Sequence, residues 1–172
     1  MASARIRGMG DRQKKSDLSV GVSDLQKVLR ISTVRLEQLV RRALVSEGIS
    51  RAEIGVVLVD DVRIAALHKQ WLNKSGPTDV LTFNLSDSTR DAPLQGDIVV
   101  STETARSCSR RFGSTPRQEL IFYVIHGLLH LTGYDDTTPA QSRAMRARER
   151  SLMRAIGLPC PQRTRTTRGT LA

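Results

Sequence analysis

Two histidines four residues apart, His126 and His130, sit inside an apolar run that includes Leu120, Ile121, Val124, Ile125, Leu128, Leu129 and Leu131. On an α-helix, residues four apart stand one above the other on the same face, so both imidazoles can aim at a single point. The pattern continues as HxxxHxxGxxD. Gly133 can take the left-handed conformation that stops a helix and folds the chain back. Asp136, three residues later, can then reach the same point. Two neutral imidazoles and a carboxylate on a small rigid turn suit a divalent metal, foremost zinc, with one position left open for water. The plainer alternative is a histidine pair that only packs and a glycine that only ends a helix. Against it, the chain holds just one other histidine, His68, and an unpaired buried imidazole would carry a desolvation cost that a metal removes.

Position 127 decides what kind of metal site this could be. In helix-borne zinc peptidases the residue after the first histidine is a glutamate serving as general base; here it is Gly127. Water held by the metal is then the expected nucleophile, aided by the substrate, or the base lies elsewhere in the chain. Phosphodiester cleavage fits best, because a phosphate oxygen can coordinate the metal and accept the water's proton.

The stretch from His126 to Asp136, HGLLHLTGYDD, resembles the signature HGxLHLxGYDH of the YbeY family of bacterial metal-dependent endoribonucleases. Gly76, Pro77, Thr78, Asp79, Val80, Leu81, Thr82 and Phe83 are similar to the family's PT(N/D)VL(S/T)F block, and residues 96–100 to its GD(I/L)xI strand. Met145, Glu149, Leu152 and Met153 give a weaker match on a last helix. These segments follow the family's order across most of residues 53–157. The resemblance implies hydrolysis of single-stranded RNA in ribosomal RNA maturation and ribosome quality control. It also implies a substrate groove beside the metal, with Asp79 and Thr82 as candidate groove contacts, and a hydrogen bond from a ligating imidazole to Glu149 that would fix its tautomer.

Two departures carry consequences. The family usually has a third histidine where this chain has Asp136, and a carboxylate there would acidify a bound water less and favour harder metals. The family also commonly has an arginine where Leu72 follows Trp71. The phosphate contact of that arginine then falls to Lys74, the nearest substitute, which a solvated loop would equally explain. Two rival classes remain open: a metalloprotease-like hydrolase, and a ribosome-assembly factor that binds without cutting around a closed, structural metal.

Length and charge set outer limits. A chain of 172 residues is most economically one domain, here expected over residues 17–157 with disordered basic tails at 1–16 and 158–172. The net charge of +10 suggests an anionic partner such as RNA. Arg5, Arg7, Arg12, Lys14 and Lys15 against Asp11, with Arg163, Arg165 and Arg168, place most of that excess in the tails. Aromatic residues make up only 3% of the chain, so RNA recognition should lean on phosphate contacts more than base stacking. Cys108 and Cys160 show no paired spacing, which suits a reducing cytoplasm, and no apolar run is long enough to span a membrane.

The expected fold is α+β, with a mixed sheet of about four strands, four or five helices and a zincin-like metal-binding helix. Strands are expected over residues 17–22, 53–59, 80–84 and 97–101, the last two as a hairpin-like pair. Residues 33–46 read as an amphipathic helix buried through Leu36, Leu39, Val40, Ala43 and Leu44. Asp61 is expected to cap a second helix with Ile64, Leu67, His68 and Trp71 on its apolar face, His68 being a satisfied core or interface histidine. Residues 102–112 should be helical with Ala105 and Phe112 inward. Thr115-Pro116 with Gln118, and Thr138-Pro139 with Gln141, are capping-box starts of two further helices. The last of these carries Arg143, Arg150 and Arg154 as a basic stripe with Arg146 at its margin, either a solvated face or an RNA-facing one. Asp135 reads as a turn residue in preference to an acceptor behind a ligand.

Overall fold

In the computed structural model, residues 17–87 and 92–162 are described. In chain order they form β1 (Asp17–Asp24), α1 (Thr33–Ser46), β2 (Arg51–Val59), α2 (Asp61–Leu72), β3 (Val80–Asn84), β4 (Leu94–Ser101), α3 (Thr102–Phe112), α4 (Pro116–Leu131) and α5 (Pro139–Ala155). The four strands make one mixed sheet in the order β1-β2-β4-β3. β1 and β4 flank β2 in parallel, and β3 closes the other edge antiparallel to β4.

Side chains alternate across a strand, so each strand serves both faces of the sheet. Val20, Ile54, Val56, Ile98 and Val100 join the main core with α1, α4 and α5, along with Ala105 of α3. Val59, Leu81 and Val99 pack on the other face with Ile64 of α2. The helix starts follow from local chemistry. Thr115 and Thr138 each accept the N–H of the glutamine three residues on, and that glutamine's side chain returns to the threonine's own N–H. Helix α1 spans the expected 33–46 and buries the expected five residues.

Several sequence expectations are corrected. The cap of α2 is Asp60, which accepts from Arg63 N–H at 2.8 Å. Asp61 is the first helical residue instead, and its carboxylate accepts the hydroxyls of Ser101 and Thr104 from the start of α3. Trp71 is 61% exposed and meets Phe83 edge-on, so the inward face of α2 is Ile64, fully buried, with Leu67 half-buried and packed beside it. Phe112 is only half-buried, with Arg111 over its ring, and Thr102, Ala105 and Ser109 are the inward residues of α3. Strands β1, β2 and β4 run two or three residues longer than expected, because pairing with a neighbour extends strands beyond their apolar stretch. At the carboxyl end, Leu158 and Cys160 pack against the core, so order continues past the expected boundary at 157. The expected tail over 1–16 and the rest of the second tail, 163–172, lie outside the described residues.

Candidate metal centre

Helix α4 lies across β3 and β4, and between residues 119 and 131 it is buried everywhere except at His126 and His130, which are half-buried. The close seat depends on Gly127. A Cβ there would come within 2.7 Å of Ile98 Cγ2 and 3.2 Å of both Thr82 Oγ1 and Val80 Cγ2. The position where a zinc peptidase carries its glutamate therefore faces the sheet, with no room for a side chain.

The two rings meet edge to face with centroids 4.6 Å apart, and their Nε2 atoms lie 3.1 Å from one another. Each ring is also held from behind. His126 Nδ1 is 2.7 Å from Glu149 Oε1 on α5, and His130 Nδ1 is 3.1 Å from the backbone carbonyl of Tyr134. An ionised carboxylate and a carbonyl only accept, so each Nδ1 carries the hydrogen and donates it. In neutral rings both Nε2 lone pairs are then left facing one another, a repulsive arrangement unless a positive charge joins them. A proton on one Nε2 is donated to the other and satisfies the pair in the metal-free protein, and a divalent cation can take both lone pairs in its place, imidazole nitrogen being a donor that zinc accepts. The pair fits a metal.

Charge around the pair points the same way. Burial pulls the His126 pKa down, but the hydrogen bond and charge of Glu149, with the charges of Asp79 and Asp136, outweigh it and leave the pKa above the usual histidine value. Asp136 thus acts on His126 electrostatically. Yet among the described residues no three His, Cys, Asp or Glu side chains are gathered tightly enough to hold an ion. The structure brings His126 and His130 together and leaves Asp136 nearby, half-buried on the turn after Gly133, whose φ is +96°. Asp135 belongs to that turn. Its carboxylate accepts from Asp136 N–H at 2.7 Å and from the Thr137 hydroxyl at 3.0 Å, and these bonds, the backbone one foremost, lower its pKa.

The remaining sequence-derived candidates divide. Thr82 and Val80 face Gly127, which puts β3 directly under the histidine helix. Asp79 lies close enough to His126 to raise its pKa, while its own Oδ1 accepts from Thr78 Oγ1 and Val80 N–H. Lys74 is exposed on the loop after α2, and no described side-chain contact ties it to the pair. Leu72 is exposed as well, at 55%. His68 is half-buried and its Nδ1 is 3.0 Å from the Gly76 carbonyl, and among the described residues it belongs to no cluster of three potential metal ligands. Sequence reasoning missed the Tyr134 carbonyl, since a backbone acceptor leaves no trace in residue identity; the turn glycine at 133 is the only signal for it.

The α+β architecture that carries this histidine pair has a counterpart among solved structures. The solution structure of a protein from Thermotoga maritima superposes with a TM-score of 0.57 at 28% identity, over 80% of this chain and 88% of that one. A family profile described as Endoribonuclease YbeY matches residues 21–157. A protein named Endoribonuclease YbeY from an Anaeromyxobacter species is 43% identical over 129 residues, which is 75% of this chain and 67% of that protein. One of the same name from Desulfitobacterium hafniense is 38% identical over 132 residues, covering 72% and 84%. The chain belongs to the YbeY family. Its activity is that of an endoribonuclease, a hydrolase of RNA phosphodiester bonds.

Proposed function

We propose that this endoribonuclease is metal-dependent and single-strand-specific, that it works in ribosomal RNA maturation and ribosome quality control in the cytoplasm, and that His126, His130 and Asp136 hold one zinc ion per chain. The observation that carries the metal reading is the pair of Nε2 atoms 3.1 Å apart, each on a ring whose Nδ1 hydrogen is already engaged. Asp136 is the third ligand of choice because its charge already reaches His126 and it follows the turn made by Gly133. When bound, the ion would lower the pKa of a water and neutralise charge building on phosphorus.

The protein's own groups do the positioning. Glu149 accepts the Nδ1 hydrogen of His126 and so keeps the Nε2 lone pair directed outward; the Tyr134 carbonyl does the same for His130. Gly127 lets the helix sit against Ile98, which keeps both rings at the edge of the sheet near Thr82 and Asp79. Thr82 and Asp79 are then groove contacts for the RNA chain, and Lys74 is a more distant contact on the loop after α2. A peptidase mechanism is disfavoured by Gly127, whose surroundings leave no space for a general base. No helix among the described residues is long and apolar enough to cross a membrane.

The test assays purified protein for bound zinc and for cleavage of an unstructured RNA, with His126→Ala and Asp136→Ala beside it. Both variants should lose metal and activity together. Cleavage surviving both substitutions, or zinc held with no turnover of RNA by the parent protein, would remove this reading and favour a non-cleaving assembly factor.

A further inference from the structure

Helix α5 is strongly basic, carrying Arg143, Arg146, Arg148, Arg150 and Arg154 against Glu149 alone. Its arginines are not equivalent. Arg148 is neutralised from α1, its Nε lying 2.5 Å from Glu47 Oε1 and its Nη2 donating to the Ser46 carbonyl. Arg146 and Arg150 stand four residues apart, one above the other on the helix. Both line a cavity of about 320 Å³, shared with Phe122, Glu149, Cys160 and Pro161. Among the described residues neither is ion-paired; Arg146 only donates to Ser142 Oγ at 3.1 Å.

The one carboxylate lining this cavity is that of Glu149, and it is engaged with His126 at 2.7 Å. Two guanidinium groups thus face a space whose only acid is turned toward the histidine pair. Each presents a planar fork of donors that matches phosphate oxygens. An anion seated between them would lie one side chain, Glu149, away from the ring that carries the candidate ligand nitrogen.

We propose that Arg146 and Arg150 form a phosphate subsite for the RNA backbone flanking the scissile bond, entering from the α5 side of the histidine pair; this rests on the endoribonuclease activity of the chain. The subsite grips a phosphate other than the one cut, so it contributes to substrate binding and register and leaves the chemical step to the metal centre. Polar contacts with the sugar and backbone supply the affinity, in keeping with a chain poor in aromatic residues.

The experiment measures cleavage of a single-stranded oligoribonucleotide as a function of salt for the parent protein, for Arg146→Gln/Arg150→Gln and for Arg146→Lys/Arg150→Lys. Each phosphate contact to a single strand contributes about 0.7 to the slope of log affinity against log salt, so the glutamine pair should lower that slope by about 1.4 and raise KM about tenfold near physiological salt. The kcat should stay within about twofold, because the contact is present in ground and transition states alike. The lysine pair should keep the slope and lose only part of the affinity. Arg143→Gln, exposed on the same helix and outside the cavity, should match the parent. If the glutamine pair disturbs folding, Arg150→Gln alone serves, with a slope reduced by about 0.7.

An unchanged KM and slope in the glutamine variants, with the parent protein cleaving RNA, would overturn the subsite and leave the activity standing. A parent protein that neither cleaves nor binds the oligonucleotide, the latter read by fluorescence anisotropy, would overturn both.

Discussion

On the face of the sheet covered by α4, each of two imidazoles has one nitrogen tied to an acceptor and the other turned to its neighbour. On the opposite face His68 also has one nitrogen at a carbonyl, but it rides on a helix whose one fully buried residue is Ile64, and among the described residues no second imidazole is hydrogen-bonded to it. The same side chain, equally satisfied at Nδ1, is a candidate ligand in one place and a loop fastener in the other. The difference is the backbone beneath it. Helix α4 is fixed by eleven buried residues, so the direction of a ring on it is set; α2 has one fully buried residue, Ile64, with Leu67 half-buried beside it. A metal site needs its donors held before the ion arrives.

The largest expected effect that would break this contrast is on activity. His126→Ala should reduce RNA cleavage by more than about 100-fold, beyond what loss of a ligand's hydrogen-bond partner costs, whereas His68→Ala should leave turnover within about twofold. Equal losses in the two variants would mean that the faces of the sheet do not differ as described. Next comes stability. Leu128→Ala, at a side chain with no exposure, should cost about 2–5 kcal/mol in denaturant unfolding, and Trp71→Ala on α2 under about 1 kcal/mol, being mostly exposed.

Glu149→Gln sharpens the comparison within the site. It removes the charge behind His126 while keeping the side chain's shape, and metal affinity should fall about 10–100-fold with the fold intact. Titration with a chromophoric chelator would read it, and zinc held as tightly as in the parent would rule Glu149 out as the group that fixes the ring.

The smallest effect is on pH dependence. Because the folded-state pKa of His126 lies above the ordinary value, the metal-free protein gains stability from the charged ring, present in full below the unfolded value and lost as pH rises through the raised one. Metal retention should run the opposite way, weakening as pH falls through the same range, since a protonated ring cannot ligate. Thermal unfolding across pH with and without added zinc should therefore give trends of opposite sign.

The elements most readable in the chain were those whose determinants are local. Helix α1 declares itself through apolar spacing, and α4 and α5 through their threonine-proline starts, so the limits of α1 and the starts of the other two agree with the structure. The histidine spacing likewise places both rings on one edge of one helix. What sequence could not give depends on partners distant in the chain. Of two consecutive aspartates, Asp60 became the cap because Asp61 is taken by Ser101 and Thr104, about forty positions away. Gly127 reads as a missing base, but its positive role, letting the helix approach Ile98, needs the sheet. The same holds for Arg146 and Arg150, which a helical wheel puts on a stripe and its margin that is solvated or RNA-facing, and whose shared hollow only the folded chain shows.

The bond between His126 and Glu149 joins residues 23 positions apart, and the second of them belongs to α5. The rear support of one ring thus comes from a different helix than the one that carries it, whereas His130 is held by its own turn. A change that shifts α5 alone would therefore release the His126 ring to turn on its helix while leaving α4 seated on the sheet.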